Sequence, residues 1–167
     1  MKDMGKTAII YGSSSGITEE VANRIASQMG VEKEDLYNVT NIKADTVAKY
    51  DLLLLGSSTD GYGELQEDWY DGVKVLKKSD LTGKKIALFG TGDSSSFSDS
   101  FCGALGELYK ELESSGAIFI GQVDSAEYTF DDSDALINGQ FIGLAIDEMN
   151  EPEKTDDRIT RWIESIQ

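Results

Sequence analysis

With 167 residues, 40% of them hydrophobic, the chain is long enough to bury one substantial core and too short for two ordinary domains, so one domain over residues 1–167 is expected. Its 31 acidic against 15 basic residues give a formal charge of −16, which sets it against nucleic acid and anionic membrane surfaces through self-repulsion. The absence of histidine and the single cysteine, Cys102, exclude Ser-His-Asp and Cys-His nucleophiles, imidazole metal sites, internal disulfides and thiolate clusters.

Two Trp, seven Tyr and six Phe among regular apolar runs point to a packed core rather than disorder. Residues 1–6 carry charges and a glycine where a secretory signal is apolar, and no run approaches the ~20 apolar residues that span a bilayer. A cytoplasmic protein is expected, and the lone cysteine suits a reducing compartment.

Residues 7–11 (TAIIY) form a short β-branched run ending at Gly12, after which the apolar period changes from two to 3.6. Val21, Ala22, Ile25, Ala26 and Met29 share one face of the helix that follows, and Gly30 stops it. Residues 35–39 read as a second strand, 51–55 (DLLLL) as a third, 85–89 (KIALF) as a fourth and 117–120 (AIFI) as a fifth. Strands without polar alternation are expected where helices cover both faces of a parallel sheet. Helices are predicted over 65–77, with Trp69, Val73 and Leu76 inward, and over 101–115, with Phe101, Leu105, Leu108 and Leu112 inward. A last helix starts near Thr155, which suits an N-cap, and buries Ile159, Trp162, Ile163 and Ile166. Residues 122–139 are polar and acid-rich, then 141–146 (FIGLAI) turn apolar, as though a loop interrupts the last strand. The alternation predicts a doubly wound α/β sandwich whose ligand site lies beyond the carboxyl ends of the strands.

Three loops lie at that end. The first, Gly12-Ser13-Ser14-Ser15-Gly16-Ile17-Thr18, brings hydroxyls and free backbone N–H groups to a helix N-terminus, an arrangement suited to a phosphate. It lacks the Lys of a nucleotide P-loop and the G-x-G-x-x-G of a dinucleotide site. Taken alone, a Ser-rich turn capping an ordinary helix has the same composition. The second loop, Gly56-Ser57-Ser58-Thr59-Asp60-Gly61-Tyr62-Gly63, and the third, Gly90-Thr91-Gly92-Asp93-Ser94-Ser95-Ser96-Phe97, each set glycine-rich backbone beside one aromatic. Together they suit a planar ring edged by peptide groups, although Tyr62 and Phe97 taken singly read equally as aromatics capping a core edge.

Ser13-x-Ser15-Gly16-x-Thr18 resembles the phosphate loop of the flavodoxins. The resemblance continues through Gly63-Glu64-Leu65-Gln66 with Asp68-Trp69, Phe89-Gly90-Thr91-Gly92-Asp93, and Phe141-x-Gly143-Leu144-x-Ile146-Asp147-Glu148 with Thr155-Asp156-Asp157-Arg158-Ile159. It implies a flavodoxin-like three-layer sandwich with a five-stranded parallel sheet in the order 2-1-3-4-5, and the interrupted fifth strand resembles the long-chain subgroup. It implies a non-covalent flavin mononucleotide (FMN). Its phosphate would be held by Ser13, Ser14, Ser15, Gly16, Ile17 and Thr18, and its ring by Ser58, Thr59, Asp60, Gly61, Tyr62, Gly63, Thr91, Gly92, Asp93, Phe97, Ser100, Phe101 and Cys102. The Gly61-Tyr62 peptide would turn its carbonyl toward flavin N5 and favour the neutral semiquinone, a turn that glycine makes easy.

The sequence departs from the common pattern of the family at Asp60, where a Trp usually covers one flavin face, at Phe97 in place of Tyr, and at Met149 in place of an acid. Losing a stack costs roughly 0.5 to 1.5 kcal/mol beyond area. Asp60, Glu64, Glu67, Asp68, Asp71, Asp93 and Asp99 crowd the flavin end, which predicts a low potential for the second reduction step, while Lys74, Lys77, Lys78, Lys84 and Lys85 gather at the opposite end. The expected function is a one-electron carrier between redox proteins, a monomer docking on a reductase of the flavodoxin/ferredoxin type or an oxidoreductase with a basic patch. The alternative is an NAD(P)H-dependent flavin or quinone reductase on the same fold. A phosphorylated receiver is disfavoured, because Ser13 to Ser15 and Ser57 with Ser58 stand where its acids would be. Cys102 reads as a buried small residue rather than a redox centre, since no second Cys can resolve it.

Overall fold

The β-branched run after Lys6 forms strand β1 (Thr7–Gly12), followed by α1 (Ile17–Met29), β2 (Leu36–Asn38) and the one-turn α2 (Ala44–Ala48) in the computed structural model, which describes residues 6–167. The N-terminal expectation falls almost wholly on residues 1–5, outside the described residues. Next come β3 (Leu52–Asp60), β4 (Glu64–Leu65), α3 (Trp69–Lys77), β5 (Lys85–Thr91) and α4 (Gly103–Leu112). The chain ends with β6 (Ile118–Ile120), β7 (Val123–Asp124), β8 (Leu136–Ile137), β9 (Gln140–Phe141), β10 (Leu144–Ile146) and α5 (Thr155–Ile166).

The main sheet runs β2-β1-β3-β5, and its fifth lane is shared by β6 and β10, all parallel, which is the order 2-1-3-4-5. Alternate residues explain why the central strands lack polar alternation. Ile9, Leu52, Leu54, Ala87 and Phe89 pack with Val21, Ile25, Ile159 and Trp162 of α1 and α5 on one face. Ala8, Ile10, Leu53, Leu55, Ile86 and Leu88 pack with Val73, Leu76, Leu105 and Leu108 of α3 and α4 on the other.

The split lane follows from β5. Its first half pairs Lys85 to Ala87 with Ile118 to Ile120, and its second half pairs Phe89 to Thr91 with Leu144 to Ile146. Between the two, residues 121–143 leave the sheet, and β7, β9 and β8 form a small antiparallel sheet of their own. Gly143 brings the chain back: a Cβ there would stand 2.2 Å from the Leu88 carbonyl oxygen.

Several boundaries differ from the expected ones. β3 and β5 continue to Asp60 and Thr91 because their pairing persists through Ser58 opposite Thr91 and through the hairpin of Thr59 with Leu65. That hairpin takes Leu65 out of α3, which starts at Trp69. α4 starts two residues late, because Cys102 adopts φ 51, outside helical backbone. Thr155 is the first residue of α5 rather than its N-cap; a 3-10 turn over Pro152–Lys154 feeds the helix, and Thr155 Oγ1 is buried with no hydrogen-bond partner among the described residues. The short α2 shows no helical periodicity long enough to be legible in sequence.

Candidate functional site

Because β1, β3 and β5 are parallel, their three following loops meet at one end of the sheet. They enclose a cleft of about 190 Å³ lined by Ser14, Ser15 and Ile17, by Ser58, Thr59 and Asp60, by Thr91, Gly92, Asp93 and Phe97, and by Glu148 and Met149 after β10. Ten of the residues assigned from sequence are thus brought together, and Glu148 joins them without having been assigned.

The first loop closes on itself through the Gly16 N–H, which donates to Ser13 Oγ at 3.0 Å. Gly16 sits at φ 93, a left-handed conformation that lets the chain turn sharply into α1, where its carbonyl accepts from Glu20 N–H at 3.0 Å. The N–H groups of the first helical turn then face the loop without intrahelical acceptors, giving a positive anion-binding pole without a cationic side chain. Thr18 is buried, and its Oγ1 lies 2.8 Å from Thr91 Oγ1, which ties this loop to the end of β5. Gln66 ties it to the second loop: its Nε2 donates to Ser14 Oγ at 3.3 Å and its N–H to Ser57 Oγ at 3.1 Å. Gln66 is a structural bridge that sequence patterning alone did not assign to the site.

On the second loop Asp60 lines the cleft while Tyr62 is 85% exposed and turned to solvent. Burial, then the charges of Glu67 and Glu64, push the Asp60 carboxyl above the usual carboxylate range. Gly61, at φ 52, makes the bend between them, and Gly63 packs its backbone against Gly103. On the third loop the Asp93 carboxylate accepts from Ser95 N–H at 3.1 Å and Ser96 N–H at 3.0 Å, and from Asn150 Nδ2 at 2.8 Å. The Ser96 N–H, followed by Asn150, holds this carboxyl below its ordinary value. Asn150 also donates to Asp147 Oδ1 at 3.0 Å, and Ser94 Oγ donates to Asp147 Oδ2, so the fully buried Asp147 anchors the loop to the chain after β10. Asn150 and Asp147 lie more than fifty residues from Asp93, and only the family resemblance pointed to their neighbourhood.

Phe101 and Cys102 do not present side chains to the cleft. Phe101 packs edge-on against Phe141 with ring centroids 5.9 Å apart, and Cys102 is fully buried with Sγ 3.9 Å from the Ile146 carbonyl oxygen. Burial pushes its thiol pKa well up, so the thiol is inert. Both are the apolar floor that turns the third loop into α4. Ser100 is likewise beneath the loop, buried, with its Oγ unpartnered among the described residues, as is Ser58 Oγ in the cleft wall. A slot edged by peptide groups with an unsatisfied hydroxyl in its wall and an anion pole at one corner fits a flat ring carrying a phosphate. A larger cavity of about 410 Å³ lies between the excursion and α5, but its Arg158 and Arg161 are already paired with Glu151, Glu127 and Asp157.

A family model described as Flavodoxin matches residues 9–162. The chain belongs to the flavodoxin family. It is 45% identical to Flavodoxin 1 of Azotobacter vinelandii, over 98% of this chain and 97% of that protein. It is 39% identical to Flavodoxin 1 of Escherichia coli, over 98% of this chain and 93% of that one. The crystal structure of Fusobacterium nucleatum flavodoxin bound to flavin mononucleotide matches with a TM-score of 0.87 at 31% identity, covering 98% of this chain and 97% of that chain. As a flavodoxin the chain is an electron-transfer protein that serves redox partner proteins, and the flavin or quinone reductase alternative is set aside.

Proposed function

We propose that the chain carries single electrons at low potential between larger redox proteins, using one non-covalently bound FMN. The observation that carries this reading is the convergence of three strand-end loops on one cleft whose anion pole has no cation. The residues from Ser13 to Thr18 hold the phosphate through hydroxyls and free N–H groups, and the Thr18 contact with Thr91 sets their distance from the ring site. Ser58 Oγ, unpartnered in the wall, donates to the cofactor. Ser58, Thr59, Asp60, Gly61, Tyr62 and Gly63 form one ring-binding loop, and Thr91, Gly92, Asp93 and Phe97 the other, with Asp93 acting through its backbone N–H. Ser100, Phe101 and Cys102 support that loop from below. The bound flavin supplies two successive one-electron steps, and the protein tunes them by presenting peptide groups and carboxylates to the ring. Asp60, Glu64, Glu67, Asp93 and Glu148 surround the cleft and oppose added negative charge there, which lowers the second potential.

The same acidic rim docks a reductase of the flavodoxin/ferredoxin type, or an oxidoreductase, through a basic patch. The chain acts as a cytoplasmic monomer, one FMN-binding unit over residues 1–167 of the long-chain subgroup, supported by the excursion that splits the fifth sheet lane. No helix among the described residues is long and apolar enough to cross a membrane. An anaerobic reductive titration followed by absorbance tests the reading: the expected result is one FMN per chain reduced in two resolved one-electron phases. Rapid bleaching by NADPH alone, without an added reductase, would falsify it.

A further inference from the structure

The anion pole at the start of α1 is ringed by acids. Glu19 and Glu20 stand in the first turn of that helix, and Glu148 lines the cleft beside Ser14, Ser15 and Ile17. A phosphate monoester brings a further ~1.5 to 2 negative charges at pH 7. Carboxylates in a first helical turn are attracted by the same free N–H groups that hold a phosphate, so they compete with it as well as repel it.

The structure ties each of these acids to a partner. Glu19 Oε2 accepts from the Tyr11 hydroxyl at 3.2 Å, a bond that leaves its charge in place. The other two share one cation. Arg24, one turn further along α1, sets Nη2 3.2 Å from Glu20 Oε1 and Nη1 3.5 Å from Glu148 Oε1. Its Nη1 also lies 3.6 Å from Asp156 Oδ1 in the first turn of α5. Arg24 is itself outside the cleft wall, and its pair with Glu148 is the only ion pair made to a residue of that wall among the described residues. The side chains of Arg24 and Glu148 are 33% and 19% exposed, so water screens this pair less than an open surface pair. At 1.5 Å per residue the Arg24 backbone stands about 10 Å from the start of α1, and helical side chains lean toward the N-terminus, which carries the guanidinium back toward the pole.

We propose that Arg24 is a positioning residue for the phosphate site: by holding and neutralising Glu20 and Glu148 from outside the cleft, it lets a loop without Lys or Arg retain a doubly charged phosphate. The proposal rests on the FMN reading. It adds that the affinity depends on a charge that the phosphate loop does not itself contain, and that the charge acts through two carboxylates rather than by touching the ligand.

The test uses the full chain freed of FMN, titrated with FMN by fluorescence quenching at low salt and again in about 1 M salt, where the Debye length falls to about 3 Å. Arg24→Gln is expected to weaken binding about fourfold at low salt, the effect of one charge on a dianion at ~10 Å in water-like dielectric. Glu20→Gln breaks the same ion pair from the other side and is expected to tighten binding by a similar factor, because it leaves Arg24 in excess. The double variant Arg24→Gln with Glu20→Gln restores the parent's net charge and most of its affinity, and Arg24→Lys, which keeps the charge, does the same. All these differences shrink at high salt. Weaker binding in both single variants means that the ion pair acts only by bracing α1, and it overturns the proposal; so does a loss in Arg24→Gln that persists in high salt. Should Arg24→Gln not fold, the sign of the change in Glu20→Gln decides alone. A parent chain that fails to bind FMN overturns the cofactor reading itself, a result separable from a parent that binds and an Arg24→Gln variant that binds equally well, which overturns only the role of Arg24.

Discussion

Asp60 and Asp93 face the same cleft and are tuned in opposite directions. The Asp60 carboxyl is raised, first by burial and then by Glu67 and Glu64, so the fold favours its neutral form. Its contribution to stability is present below the ordinary carboxylate pKa of about 3.9 and is lost as pH rises through the higher folded value. Asp60→Asn is therefore expected to stabilise the apoprotein at pH 7, and the gain to vanish near pH 4, as read from chemical denaturation at both pH values. Asp93 is the reverse case: the Ser96 N–H and Asn150 favour its charge, so its contribution is present at neutral pH and lost as pH falls through its depressed pKa. The sequence placed both residues in the right loops. It did not show that Tyr62 turns away from the cleft, leaving Asp60 in its wall, because neither rotamer nor loop direction is encoded by local pattern.

Among the elements, the fifth lane of the sheet depends on one glycine. Gly143 faces the Leu88 backbone so closely that a methyl group cannot fit without moving β10 away from β5. Gly143→Ala is expected to lower stability by about 1–3 kcal/mol, the usual cost of overpacking a tight site. It should also weaken FMN binding, because β10 leads directly into Asp147, Glu148 and Met149 at the cleft. Urea denaturation and an FMN titration of the same variant check both effects; an unchanged unfolding midpoint would show that β10 tolerates the shift. The strands and long helices were legible because apolar runs such as DLLLL and the stripe on α1 record burial directly. Strand ends were less so, since β3 and β5 extend only as far as their partners continue to pair.

For the whole molecule, charge separation along the sheet matters more than the net −16. Lys77 and Lys78 end α3 and Lys85 begins β5, at the end remote from the cleft, and Lys77 is further paired with Glu111 at 2.6 Å. Near the cleft, Arg24 approaches Glu148 at 3.5 Å, whereas no ion pair is found for Asp60, Glu64 or Glu67 among the described residues. A carrier with one acidic pole orients toward a basic partner before contact. Electron transfer from a reductase with a basic docking face is expected to slow about tenfold between low and physiological salt, as the Debye length shrinks from about 30 to 8 Å. Stopped-flow rates across that range decide the matter, and a flat salt profile would remove electrostatic docking from the account.

The sequence by itself determined the parallel sheet, its two covered faces and the hydroxyl-rich, cation-free turn from Ser13 to Thr18, because each is written in residues adjacent along the chain. Only the tertiary structure decided that Phe101 and Cys102 face inward and that the excursion, which the sequence did place as an interruption of the fifth strand, lies along the third loop. Those arrangements rest on contacts such as Ser98 with Asp131 and Asp93 with Asn150. Their partners are 33 and 57 residues apart, beyond the reach of any local periodicity.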